Sequence, residues 1–175
     1  GNIDQAVKWN PAFQEMTVSR YLELSRSTLA RRPELVIWPE TAVPFYFLKE
    51  FLHTPKILQL AREMETHLLF GSPAVEYSQK EGPRFFNRAY LLSPEGGISH
   101  YDKVHLVPFG EYVPLKKWLP FVGKMVEAVG DFSPGAGSFP LAHPRGRLGV
   151  LICFETIFPE LSRALNQEGV GLLIN

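Results

Sequence analysis

An α/β fold, sheet layered against helix, is what this sequence of 175 residues predicts. Three observations carry the expectation. Apolar runs of strand length alternate with stretches of helical periodicity. Several of those runs are apolar at every residue rather than every second one, as in strands covered on both faces. Pro and Gly mark the boundaries between them. Strands alternating with helices in this way build a sheet covered by helices.

The elements follow in order. Asn10-Pro11 reads as a helix N-cap with Pro at the first helical position, so a helix is expected over about 11–30. Its inner face would carry Phe13, Met16, Tyr21 and Leu24. "ELVIWPE" is a short buried strand at about 35–38, stopped by Pro39. Thr54-Pro55 opens a second helix, with Ile57, Leu58, Leu60, Ala61 and Met64 at helical spacing. "HLLFGS" is another strand. "FFNRAYLLS" and "ISHYDK" flank "PEGG" and read as a hairpin. An irregular stretch over about 102–140 follows, rich in Pro, Gly and aromatics, with a short helix expected near 115–128. "RLGVLICF" reads as a buried strand, "PELSRALNQ" as a helix and "VGLLI" as a last strand. There is no internal repeat and no low-complexity segment.

Composition narrows the function. Hydrophobic residues at 45% and charged ones at 21% describe an ordinary globular core. Lys plus Arg equals Asp plus Glu, 18 against 18, which offers no electrostatic case for a nucleic-acid partner. The five histidines form no HExxH or Cys/His cluster, so no metal ligand set is expected. No cofactor is implied either. No apolar run approaches the ~20 residues of a membrane helix. The chain opens on "GNIDQAVKW" and ends on "GVGLLIN", straight after an apolar run. Both ends read as lying inside a fold, so residues 1–175 are expected to be one incomplete domain.

Three residues invite chemistry. Cys153, the single cysteine, follows a buried strand, where a side chain can point into a crevice. By itself it reads equally as a small core hydrophobe. Glu40 ends "VIWPE" at another strand end. It could be a general base, given partial desolvation, or merely an acid at a helix start before Thr41. Lys103 in "HYDKVHLVPFGEYVP" could steady an oxyanion, or be a solvated turn lysine. Asp102, His105 and Glu111 are polar groups in the same loop, and read as loop organisers as readily as chemistry. Taken together, Glu, Lys and Cys each close or follow a strand and make a coherent set: a base, an oxyanion partner and a nucleophile.

That set, in that order, resembles the Glu–Lys–Cys triad of the nitrilase, or carbon–nitrogen hydrolase, superfamily. A closer resemblance is to the catalytic domain of the apolipoprotein N-acyltransferase family. It rests on "GNIDQAVKW", "WPETAVP", "LLFGSPA", "YDKVHLVPFGEYVPL", "FSPGAG", "GVLICFETIFPEL" and the closing "GLLIN", seven blocks in order over nearly the whole chain. The resemblance implies a nitrilase-like αββα sandwich, here truncated at both ends, without the membrane helices of the family enzyme. It implies acyl transfer from a phospholipid to Cys153 as a thioester, then to the N-terminal diacylglyceryl-cysteine of an apolipoprotein. Glu40 would move protons and Lys103 would hold the oxyanion with a backbone N–H near Phe154. Glu111 and Glu155 match acidic positions that would support Lys103 and the cysteine loop. Trp38 and Phe154 are further supporting positions. Where the family commonly has Tyr after the nucleophile, this chain has Phe154, which keeps the aromatic packing without the hydroxyl. The location implied is the bacterial inner membrane, with the domain on the periplasmic side.

Two apolar stretches fit a membrane partner. "PFYFLKEFL" carries Phe45, Tyr46, Phe47 and Phe51. "PLKKWLPFVGKMVEAV" carries Trp118, Leu119 and Phe121 interleaved with lysines, a pattern suited to a lipid interface or to one buried helix face. Two other functions compete. A carbon–nitrogen hydrolase of amidase or carbamoylase type would use the same three residues with water as acceptor. A non-catalytic binding module would have no need of all three.

Overall fold

A computed structural model of the protein describes residues 3, 9–78, 82–112 and 131–175. The expected helix near 115–128, and with it Trp118, Leu119 and Phe121, lies outside the described residues. Two sheets form. The first has β1 (Leu35–Ile37), β2 (His67–Ser78), β3 (Gly82–Leu92) and β4 (Ile98–Asp102), in that order across the sheet. The second has β5 (Leu141–His143), β6 (Gly146–Val150) and β7 (Val170–Ile174). Among the described residues three α-helices accompany them: α1 (Gln14–Arg26), α2 (Thr54–Glu63) and α3 (Pro159–Gln167). β1 pairs parallel with β2 through the crossover helix α2, and β6 pairs parallel with β7 through α3. The remaining strand pairs are antiparallel.

Side-chain alternation sorts these elements into four layers. Leu68 and Phe70 of β2 and Phe86 and Tyr90 of β3 pack against Val18 and Leu22 of α1 and Ile57 and Leu60 of α2. The residues between them, Leu69, Ala89 and Leu91, turn the other way. They meet Leu148, Val150 and Ile174 of the second sheet. Leu161 and Leu165 of α3 cover that sheet's outer face with Leu151. The order helix–sheet–sheet–helix is the αββα sandwich expected. β2 is covered on both faces, so burial runs unbroken from Leu68 to Ser72.

Several elements differ from expectation. The first helix is bracketed by two 3-10 turns, Pro11–Phe13 and Leu29–Arg31. The Ser27 and Thr28 hydroxyls donate to the Leu24 and Ser25 carbonyls, competing with the helical ladder where it ends. Its buried face is Thr17, Val18, Tyr21, Leu22 and Ser25, whereas Phe13, Met16 and Leu24 are exposed. A tertiary partner sets that face. Tyr21 stacks on Trp38 at 5.2 Å, and the Trp38 indole N–H donates to Ser25 Oγ at 2.8 Å. The strand read as "RLGVLICF" stops at Val150, and a 3-10 turn, Cys153–Ile157, follows. β2 and β3 are longer than expected, pairing from Leu68↔Leu92 to Ser78↔Gly82. β5 was not expected. The "PEGG" hairpin forms between β3 and β4, with Gly96 at φ +92.

Candidate active site

Glu40 stands three residues beyond Ile37, the last residue of β1, and Cys153 three beyond Val150, the last of β6. Each strand opens a parallel crossover, so the two residues leave equivalent strand ends on facing sheets. Both departures need a left-handed backbone. Thr41 has φ +49 and Cys153 itself φ +55, a region sparsely populated by residues with a side chain and often found at functional sites. The bends bring Glu40 and Cys153 to one cavity, with Gly71, Asn87, Ala89 and Asn175 also in its wall. Gly71 is required there, since a Cβ on it would lie 2.5 Å from the Thr41 nitrogen. Glu40 and Cys153 are both exposed at this cavity. Among the described residues β1 is an edge strand of its sheet, so Glu40 stands at an open side of the cavity.

Lys103 follows β4 directly and is almost wholly buried, 1% exposed. Its backbone N–H donates to the Asn87 carbonyl at 2.9 Å, and its carbonyl accepts from Gly135 at 2.9 Å. A buried ammonium requires a partner, and the Glu111 carboxylate provides one, Oε2 to Nζ at 2.8 Å. The same oxygen accepts the Val107 N–H at 2.9 Å. Asn87 links this pair to the cavity. Its Nδ2 donates to Glu111 Oε1 at 2.9 Å and to Glu40 Oε1 at 3.1 Å. Two carboxylates beside one amide fix its orientation, since only the NH₂ end can serve both.

Glu155 has no exposed surface. Oε1 accepts the backbone N–H groups of Val104 at 2.7 Å and His105 at 3.0 Å, and Oε2 accepts that of Ile152 at 2.8 Å. The Tyr101 hydroxyl lies 2.9 Å from both oxygens. Burial, and then the Glu155 charge, push the Tyr101 phenol well above its ordinary range. One carboxylate thus ties the segment after Lys103 to the turn that carries Cys153.

The other residues singled out in the sequence take separate places. Trp38 is buried, lines the cavity and is fixed by Ser25. Phe154 is exposed and meets Phe158 edge-on at 5.8 Å, while Phe158 stacks on His105 at 4.3 Å. Asp102 lies away from the cavity. It pairs with the Arg88 guanidinium at 2.6 and 2.8 Å, and that guanidinium lies over the Phe86 and Tyr90 rings on the helix-covered face. Glu76, His100 and Asp102 bring possible ligand atoms within 4.8 Å of one another, but the Arg88 guanidinium already pairs with both carboxylates. In "PFYFLKEFL", Phe45 and Phe47 are core residues, while Tyr46, Leu48, Leu52 and Phe51 are exposed, Phe51 to 90%. Among the described residues no helix is long and apolar enough to cross a membrane.

Sequence reasoning missed Asn87, Tyr101 and Gly135. Tyr101 and Gly135 lie within the quoted blocks "YDKVHLVPFGEYVPL" and "FSPGAG", and Asn87 is the one uncharged polar residue within the apolar "FFNRAYLL".

Comparison with known proteins bears on the fold and the family. The carbon-nitrogen hydrolase family model matches residues 5–175. An apolipoprotein N-acyltransferase from Geobacter metallireducens is 54% identical over the whole of this chain, and one from Brucella suis biovar 1 is 36% identical over 97% of it. The chain spans 34% and 33% of those two proteins. Among solved structures, a carbon–nitrogen hydrolase from Helicobacter pylori G27 superposes with a TM-score of 0.65 at 20% identity, covering 91% of this chain and 53% of its own. With the sandwich, the paired strand ends and a family match over nearly every residue in agreement, the chain belongs to the carbon–nitrogen hydrolase family.

Proposed function

We propose that this domain transfers an acyl chain from a phospholipid, through a thioester on Cys153, to the α-amine of the diacylglyceryl-cysteine that begins an apolipoprotein. The observation that supports it most is the cavity shared by Glu40 and Cys153, backed by the buried Lys103–Glu111 pair, in a chain 54% identical throughout to a protein of that activity. Glu40 takes the thiol proton as Cys153 Sγ bonds the ester carbonyl carbon. The carbonyl oxygen becomes an oxyanion, and Lys103 supplies the positive charge that steadies it. The ester C–O bond then breaks, and the proton passes from Glu40 to the leaving lysophospholipid oxygen. In the second half the amine attacks the thioester, the C–S bond breaks, and the amine's proton returns through Glu40 to sulfur. An oxyanion partner of this kind is worth about 10²–10³ in rate.

The proposed setting is the periplasmic face of a bacterial inner membrane. The exposed Tyr46, Leu48, Phe51 and Leu52 beside Lys49 suit contact with lipid.

The test uses full-length protein in detergent with phospholipid. Intact mass should show an acyl-sized adduct that hydroxylamine removes and Cys153→Ala abolishes. Release of ammonia from simple amides with no lipid adduct would instead support a hydrolase that uses water as acceptor.

A further inference from the structure

We propose that Asn87 is a positioning residue that aims the Glu40 carboxylate at the thiol. The inference rests on the acyl-transfer reading above, and deepens it.

Glu40 lies on an edge strand in an open cavity. A glutamate side chain there has three rotatable bonds and solvent on one side, so it needs restraint to face one partner. Asn87 is positioned to restrain it, because it is itself fixed from three directions. It is 8% exposed in the middle of β3. Its backbone carbonyl accepts the Lys103 N–H at 2.9 Å, and its amide donates to Glu111 Oε1 at 2.9 Å. Lys103 in turn holds Glu111 at 2.8 Å. The remaining amide hydrogen reaches Glu40 Oε1 at 3.1 Å. The position of Glu40 is therefore referred to the buried cation by a rigid strand residue.

The same amide separates two negative charges. Glu40 and Glu111 both lie within hydrogen-bonding distance of one nitrogen, and carboxylates that close disfavour double ionisation. Glu111 pairs with the Lys103 ammonium and accepts the Val107 N–H. The Asn87 NH₂ between them offers each carboxylate a donor. A carboxylate that can accept a proton in the resting enzyme is what a general base requires. Among the described residues, the charged and titratable groups at this junction are Glu40 after β1, Lys103 and Glu111 after β4, and Cys153 after β6, with Tyr101 and Glu155 behind the turn. Arg88 and Asp102 face the opposite side of the sheet, toward the helices.

Two substitutions in the full-length protein test this, with thioester formation on Cys153 from phospholipid followed against pH. Asn87→Asp keeps the shape and adds a third carboxyl. Its acidic limb should move upward by about 0.5–1 pH unit, a modest figure because the site is open to water. Asn87→Ala removes the tether. It should lower kcat about 10-fold or more while KM for phospholipid holds, again with the acidic limb moved upward. A purely structural role would depress the rate equally at every pH. An acidic limb unmoved in Asn87→Asp overturns the proposal, and that variant reads it even if Asn87→Ala fails to fold. Wild-type protein that forms no Cys153 adduct would refute the acyl-transfer reading instead, so the two failures are distinct.

Discussion

At the scale of single residues, the site is organised by buried carboxylates. Glu155 is the clearest case. It takes the N–H groups of Val104, His105 and Ile152 and the Tyr101 hydroxyl, and it joins two chain segments that come from different sheets. Glu155→Gln keeps the volume but turns an acceptor-only group into one that presents an NH₂ to donors. Removing one side of a buried charged network typically costs about 3–5 kcal/mol. The expected outcome is a large fall in the thermal unfolding midpoint of the full-length protein, with loss of the Cys153 adduct at temperatures where the variant remains folded. An unchanged midpoint would mean that the turn holds its place without this carboxylate.

At the scale of elements, the start of α2 shows how a loop acid can carry a pH dependence. The Glu50 carboxylate accepts the backbone N–H groups of Leu52 at 2.8 Å and His53 at 2.6 Å, just ahead of Thr54. Burial opposes its ionisation, but the N–H donors of His53 and Leu52 outweigh it and hold the carboxyl below the usual range. A folded-state value below the unfolded one stabilises the protein above the unfolded value, about 4.3 for Glu. That contribution is lost as pH falls through the folded value. Glu50→Ala should therefore cost about 1 kcal/mol at neutral pH. The gap between the wild-type and variant melting curves should close in acid, below about pH 4. A gap constant from neutral pH to pH 3 would show that the carboxylate's charge contributes nothing.

At the scale of the whole molecule, the candidate cavity and the seam between the sheets are one structure. Ala89 belongs to the inter-sheet core and also lines the cavity that holds Glu40 and Cys153. A small residue there leaves room at the strand ends, where larger neighbours such as Leu91 fill the seam further along. Ala89→Leu should destabilise by about 1–3 kcal/mol through overpacking. It should also slow acylation of Cys153 more than its effect on folding explains, since the added side chain enters the cavity. Equal reaction with a small thiol reagent in wild type and variant would argue that the cavity stays open. The four-layer arrangement makes such coupling general, because close-packed interiors transmit small changes in volume.

What the sequence by itself determined is local in origin. Strand and helix order, the hairpin at "PEGG", and the positions of Glu40, Lys103 and Cys153 at or beyond strand ends all follow from periodicity and turn residues within a few positions. A sheet covered by helices was legible from runs apolar on every residue, and the αββα layering from the family resemblance. Tertiary structure decided whatever depends on partners distant in the chain. It turned α1 so that Tyr21 and Ser25 meet Trp38, leaving Phe13, Met16 and Leu24 outside. It sorted "PFYFLKEFL" into core and surface. It also made Asn87 the junction between Glu40 and Glu111, 47 and 24 residues away in the chain. Short-range patterns specify which way a side chain can point. What waits there is set only when the layers close and each buried polar group finds its partner.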